Sequence, residues 1–510
     1  MKRIAVTSIL ALLGTAALFA SGVENKTNLS TGYLRNPSRN TENSRPEAAF
    51  YNIAGTAYLK EGLWIGGGNQ FVIKEYGNEL HDDPTLKAAG INGYYSNDET
   101  TVWLYPDFNA VYKKGRWSIF GNFGVYAGGG SLSYSEGTSA TTLLFAGGAK
   151  TQGAEAAKYG LAANMITTAQ SSWNDAVTNK FGGSSATALT WIQTKLQDPN
   201  DADYATAQKL AQAYGVVRDY GSNLSEYASK KDTYEKAAKA SLGMAQSHSL
   251  DVTSITYGLQ LGASYQVLDW LSLAAAYRYT IGTQKMTLKC SDATFVAVNG
   301  GNEISYDAEG YGQSCVFGIH VKPIDKLDLS LQYQTLSRID YDVSNVKGNV
   351  AKYYDITNSK KFRTDLPAVL NLGAGYSILD NLYVSTSFNY YFNVFAQQNS
   401  ILSETDYDNS MEFALGVDWR FWKFAGVSLG ASFGNQGIKD DSNSTFNPVL
   451  NNFVIGGGFE IYPTEQLTVT LSALYAKYFD ADYYLEGYKT TLSKKVTNIG
   501  VGLTYHFPNL

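Results

Sequence analysis

The chain has 510 residues and a formal net charge of −6, which argues against a nucleic-acid partner. Tyrosine (38) and glycine (49) are abundant and cysteine (2) is scarce, and beyond the N-terminus no run approaches the roughly 18 apolar residues of a membrane helix. Composition therefore excludes a helical membrane protein, and it suits an all-β wall with aromatic girdles and a polar interior.

The N-terminus reads as an export signal over residues 1–22. Lys2 and Arg3 precede an apolar core from Ile4 to Phe19. Cleavage is expected near Gly22, because cleavage after Ala20 places the bulky Leu18 where a small residue belongs. No cysteine stands at the junction to carry a lipid. Residues 23–62 form a separate segment. Glu24 to Arg45 is polar, and Pro46 can open a short helix that Gly55 and Gly62 break, with Ser44 as cap. Such a segment either hangs in the periplasm or folds into a barrel and plugs it.

From Leu63 to the end, the chain alternates at period two. In Leu370–Phe392, residues Leu370, Leu372, Ala374 and Tyr376 share one face, and Asn371, Gly373, Gly375 and Ser377 the other. A turn at Leu379-Asp380-Asn381 follows, and alternation resumes from Leu382. Arms of about ten residues are long enough to cross a bilayer when tilted. Relatives of this unit recur at Leu261-Gly262, Phe317-Gly318, Leu415-Gly416, Ile455-Gly456 and Ile499-Gly500. Short and long connections alternate, as in a transmembrane antiparallel β-barrel. About fourteen strands are expected over residues 63–510, the first Leu63–Tyr76, the third Trp117–Tyr134 and the last Val496–Phe507. The final Tyr505-His506-Phe507 supplies the terminal aromatic that barrel-assembly machinery reads. Residues 135–250 break the pattern. Helix-compatible stretches at Ala154–Met165, Ala202–Tyr214 and Lys231–Met244 mark a partly helical extracellular insertion.

Parity places Gly373, Gly375, Gly456, Gly458, Gly500 and Gly502 in the lumen, where small residues leave room for a plug or a ligand. Arg278 and Arg338 also fall on the lumen face. Each can bind a ligand carboxylate, or pair with a lumen acid such as Asp328, Glu412 or Asp418; the bracing role is preferred. His81, His248, His320 and His506 lack metal-ligand spacing, so no metal or cofactor is expected. No Ser–His pair suggests a nucleophile, and no Lys-Ser/Thr follows Gly66-Gly67-Gly68, so no enzyme is expected. Cys290 and Cys315 flank the loop between strands five and six, and export to an oxidising compartment favours a disulfide there.

The order of plug-like segment and fourteen strands resembles the FadL-type long-chain fatty-acid transporter family. The likeness spans most of the mature chain. It is sharpest at Phe50-Tyr51-Asn52-Ile53-Ala54-Gly55-Thr56-Ala57 and Leu63-Trp64-Ile65-Gly66-Gly67-Gly68. Family members carry Asn-Pro-Ala in an N-terminal hatch; Asn52 and Ala54 match, and Ile53 replaces the proline ahead of Gly55. The chain looks most like divergent, loop-expanded members, including those of spirochaetes. The resemblance implies a monomer in the outer membrane, in contact with its lipid. It implies capture of long-chain fatty acids or other hydrophobic molecules, a hatch shift, and lateral exit through a kinked third strand. The kink candidates are Gly121 and Gly128-Gly129-Gly130; these glycines can also simply end the strand at the loop. The alternative is an adhesin or host-interaction protein that displays the insertion on the same barrel.

Overall fold

Alternating residues become a wall because a strand can bury one face and give the other to lipid. The computed structural model describes residues 28–81, 87, 90–91, 93–98, 100–401, 405–439, 443–485 and 488–508. The expected export signal lies outside the described residues. The wall has fourteen strands: β1 Gly62–Leu80, β2 Pro106–Lys114, β3 Trp117–Tyr134, β4 His248–Leu268, β5 Leu271–Cys290, β6 Glu303–Ile324, β7 Leu327–Gln334, β8 Val369–Leu379, β9 Leu382–Tyr391, β10 Ser410–Trp422, β11 Ala425–Asn435, β12 Asn452–Ile461, β13 Leu467–Tyr478 and β14 Tyr488–Phe507. Each pairs antiparallel with its neighbours, and β14 returns to β1, with Leu63 opposite Phe507 and Leu80 opposite Thr490. Closure leaves no edge, and every strand expected from the alternation is present.

Outward positions such as Leu259, Leu261, Leu273, Phe317, Leu415 and Leu503 are exposed, while the inward Gln260, Ser264, Ser272 and Asn498 are buried. A fully exposed Leu or Phe forfeits about 1.5–3 kcal/mol relative to burial, so a wall of them requires lipid outside. Inward positions change character along the barrel. Toward the long loops β4 to β6 bury the apolar Leu250, Met286, Leu288, Ile304 and Tyr306, while β1 and β14 bury Lys74, Asn78, Thr490 and Lys494. Toward the short turns many inward positions are polar or glycine, but Trp64, Val111, Phe120, Ala276 and Val316 form an apolar cluster with Ala48, Ala49 and Ile53 of the N-terminal segment.

The N-terminal segment occupies the half toward the short turns. Helix α1, Thr31–Arg35, packs on β11 to β14 and β1. Helix α2, Ala48–Tyr51, leads into a 3-10 turn, Ile53–Tyr58, that packs on β2 to β7. Between them Ser38 and Asn40 meet Ser387 of β9. The segment thus touches opposite sides of one cylinder and fills it. Wall glycines make the room. A Cβ at Gly500 would stand 2.8 Å from Leu34 Cδ1, at Gly458 2.8 Å from Arg35 Cβ, and at Gly373 2.8 Å from Thr41 Cγ2.

The insertion is almost wholly helical, more so than its sequence suggested. It is built from α3 Ser139–Lys180, α4 Ser185–Lys195, α5 Tyr204–Tyr220 and α6 Leu224–Gln246. Residues Leu144–Ala245 form their own compact unit. Trp173, Val177, Ala188, Ile192 and Leu210 make its core, and Ser184 caps α4 by accepting from the Thr187 amide.

Two expectations are corrected. Cys290 and Cys315 do not form a disulfide; the first is buried, with the Ser247 hydroxyl at 3.8 Å, and the second is exposed. Cys315 pairs with Tyr277. Cys290 ends the same β5 thirteen positions further on, roughly 40 Å at strand rise. A disulfide spans about 7 Å at most between Cα atoms, so this pair cannot close. Arg338 is not in the lumen. Strand β7 stops at Gln334, parity lapses beyond it, and Arg338 stands exposed with Asp340 at 2.7 Å.

Gly500→Leu is expected to push α1 off the wall and raise ion conductance severalfold in planar bilayers. Gly457→Leu, at an outward position, should leave it unchanged.

Candidate functional site

The site is the contact between the plug and the wall, and its first part is a buried charge network. Ser30 caps α1 by accepting from the Tyr33 amide at 3.2 Å, which aims Arg35 at the wall. Arg35 pairs with Asp418 of β10 and lies 3.5 Å from Glu460 of β12. Arg39 meets Glu42 at 2.9 Å, with Glu47 and Asp418 both at 3.7 Å. Arg45 meets Glu460 at 3.2 Å. Burial pushes the Glu47 carboxyl above its usual range, and Arg39 pulls it back. Burial also works against the Arg35 cation, but Glu460, Asp418 and Glu47 outweigh it, and the group titrates above an ordinary arginine.

The second part is the corner at Asn52, held by neutral groups. The Asn52 side chain caps the 3-10 turn, accepting from the Gly55 amide at 3.3 Å. Its Nδ2 donates to the Glu42 carbonyl at 3.0 Å and to His320 Nδ1 at 2.8 Å. Nε2 of His320 therefore carries the proton and donates to Asp328 at 2.9 Å, where Lys322 also binds at 2.9 Å. The Ile53 amide donates to Gln332 Oε1 at 3.0 Å, and the Ala54 carbonyl accepts from Ser272 at 2.7 Å. A Cβ on Gly55 would lie 2.5 Å from Asn52 Nδ2, so the corner needs glycine there. Thr56 reaches Ser118 of β3 at 2.7 Å and Ser264 of β4 at 2.9 Å. Asn52, Ile53, Ala54 and Gly55 are thus brought together against five or more wall strands.

The third part is Arg278 of β5. The expected bracing acids are engaged elsewhere: Asp418 with plug arginines, Asp328 with His320 and Lys322, and Glu412 with the Tyr33 hydroxyl at 3.0 Å. Wall acids do brace arginines, but the arginines are the plug's own. Arg278 is buried and has no carboxylate partner among the described residues. Its guanidinium donates to Gln260 Oε1 at 2.9 and 2.7 Å and to Gln334. It also lies over the rings of Phe50 at 5.0 Å and Tyr126 at 4.4 Å. A cavity of about 60 Å³ opens beside it, lined by Gln332, Gln334, Asn371 and Tyr391 among others. The Tyr391 hydroxyl is buried there without a hydrogen bond of ordinary geometry.

The fourth part is strand β3. Its register against β4 slips twice, leaving Tyr126 and Gly129 as bulged residues, and Gly128 and Gly130 both have φ of +80°. Gly121 stays in register, opposite Leu261 and Ala110. Pairing with β2 ends at Phe123. Beyond it the wall is stitched by single bonds: Tyr105 hydroxyl to Val125 carbonyl at 3.2 Å, Lys74 Nζ to Ser131 carbonyl at 3.1 Å, and Asp98 amide to Ser133 carbonyl at 2.7 Å.

Sequence reasoning missed Arg35, Arg39, Arg45, Glu47, Glu460, His320 as a plug contact, and Tyr126. One signal was available: three arginines in the short segment before the first strand, with Asp418 and Glu460 at inward parity on the wall.

No family model matches the chain, and no curated relative does. Solved structures do. A Pseudomonas aeruginosa FadL homologue aligns over 96% of this chain and 100% of its own, at TM-score 0.56 and 13% identity. The Pseudomonas putida toluene transporter TodX aligns over 96% and 100%, at TM-score 0.52 and 11% identity. The chain therefore has the FadL-type barrel fold.

Arg35→Met strands Asp418 and Glu460 without their shared cation. Docking of the plug should weaken by about 3 kcal/mol, seen as protease cleavage within residues 28–59 of the folded barrel. Arg116→Met, which breaks an exposed pair with Asp269, should change less than about 1 kcal/mol.

Proposed function

We propose that this barrel lies in the outer membrane and carries hydrophobic molecules with an anionic head, long-chain fatty acids above all. The observation that carries the reading is Arg278. A buried guanidinium without a carboxylate is costly, and a ligand carboxylate supplies the missing charge with bidentate geometry. Further along the inward face of β5, toward the long loops, Met286 and Leu288 are buried and apolar. A ligand whose carboxylate head sits at Arg278 can lay its apolar tail toward them. The likeness of fold to TodX, a toluene transporter, supports a hydrophobic cargo; the anionic head rests on Arg278 alone.

In this reading the plug is a hatch. The ligand enters between the long loops, its head reaches Arg278, and the corner at Asn52 to Gly55 shifts. The bulged β3, at Gly128 to Gly130, is the way out sideways, because among the described residues the wall beside it is stitched by scattered single bonds instead of a ladder. Glycine and the two bulges weaken the strand where it must yield. A second reading has one observation in its favour: the helical unit has its own hydrophobic core, as a displayed binding module would.

A fluorescent C16 carboxylate is expected to bind the refolded protein saturably. Arg278→Gln should weaken it about tenfold, the value of one charge-assisted contact. The matching alcohol should bind more weakly to the wild type and ignore the substitution. Deleting residues 144–245 should spare this binding; if it abolishes cell-surface attachment instead, and no fatty acid binds, the display reading holds.

A further inference from the structure

Four features lie outside the roles assigned above: the charged outer groove at Lys285, Lys289 and Lys347, the Ala- and Gly-lined groove of the helical unit, the Glu47–Asp107 cavity, and the stack at Arg278. In the outer groove Lys285 lies 3.8 Å from Asp307 and Lys347 3.3 Å from Glu303, so its charges largely answer each other. Nothing shows what covers the helical groove. The Glu47–Asp107 cavity holds about 20 Å³ and is shared with Arg35 and Arg45. The stack reaches further, because it joins the plug to the bulged part of β3 through the buried cation at the cavity.

Phe50 belongs to the plug and is the residue two before Asn52. Tyr126 belongs to β3 and is the extra residue of its first bulge: Val125 pairs with Tyr257 and Ala127 with Thr256, so Tyr126 has no partner on β4. The two rings are 5.2 Å apart. Arg278 lies over both. Tyr126 donates its hydroxyl to Asn122 Oδ1, and its ring covers Gly258, where a Cβ would overlap it. The bulge therefore holds its ring between a glycine seat and a guanidinium. The neighbouring Val125 carbonyl accepts the Tyr105 hydroxyl, one of the bonds that close the seam.

We propose that Arg278 is a shared tie, and that Phe50 and Tyr126 are positioning residues through which one binding event loosens both the hatch and the seam. The proposal rests on reading the Arg278 cavity as the ligand site. The guanidinium is held by two neutral amides and two ring faces, all weaker partners than a carboxylate. A carboxylate in the cavity draws the guanidinium toward itself. Both rings then lose their common cation at once. Loss at Phe50 acts on the corner at Asn52; loss at Tyr126 acts on the seam beside Val125. Hatch and side exit are thereby opened by the same head group, and neither opens for an apolar molecule without one.

Hydrogen exchange of the full-length protein in nanodiscs, with oleate as the probe at saturating concentration for each variant, tests this. In the wild type, exchange in residues 48–58 and 124–132 should rise together by about threefold, with one oleate dependence. Phe50→Leu should keep only the response of 124–132, and Tyr126→Leu only that of 48–58. Phe50→Tyr and Tyr126→Phe keep a ring and should keep both responses. The tie is overturned if oleate binds but one wild-type segment responds alone, or if both leucine variants respond as the wild type does. Where a leucine variant fails the heat-shift test for a folded barrel, the paired wild-type time courses decide. Absent oleate binding, or binding indifferent to Arg278→Gln, is read from the isotherm first and overturns the ligand site itself.

Discussion

Inside the barrel, arginines of the N-terminal segment meet carboxylates of the wall, and the rest of the structure depends on that meeting. Glu460 serves Arg35 and Arg45; Asp418 serves Arg35 and Arg39. Either set alone leaves charge buried and unpaired, at several kcal/mol per ion. The net gain over an apolar contact is small, since both sides are desolvated. What the pairing supplies is position. It admits one seating of the segment, and every other contact of the plug follows from that seating.

Space is the second constraint. A barrel of fourteen strands encloses more volume than side chains on the wall need fill. Glycines at Gly373, Gly456, Gly458, Gly500 and Gly502 widen it further, and the plug lies directly on them, by its backbone at Gly373 and Gly456 and by the side chains of Thr31, Leu34 and Arg35 at the others. Each glycine costs its strand about 0.5–1 kcal/mol relative to alanine. The closed ladder offsets this, because a strand paired on both sides has no edge from which to fray.

The two halves of the plug are held unequally. Residues 31–47 are tied by ion pairs, whose rupture costs about 3–5 kcal/mol when one partner is removed. Residues 52–58 are tied by amide, imidazole and hydroxyl contacts, worth about 0.5–1.5 kcal/mol each. A disturbance at Phe50 reaches the weaker half first. In the proposed reading, that asymmetry is what would let a small head group move part of the plug while the charged part keeps its place.

Strand identity and facing were legible in the chain because they are local. A two-residue period needs no knowledge of distant partners, so the fourteen strands, the inward glycines and the inward Arg278 could be read directly. Partners were not legible. Asp418 was visible as an inward acid, yet that it meets Arg35 and not Arg278 is settled only when residues 383 positions apart in the chain are brought together. The same limit explains Cys290 and Cys315. A loop between two strands reads as a short hop, but β5 and β6 run on as paired strands to Cys290 and from Glu303, and that extension sets the thiols far apart on opposite faces. Arg338 failed for the converse reason: its strand stopped at Gln334, and alternation means nothing past the last paired residue. Within the paired strands the sequence determined which residues face inward; only closure of the cylinder around its own N-terminal segment decided what they face, because those contacts are made across the lumen and not along the chain.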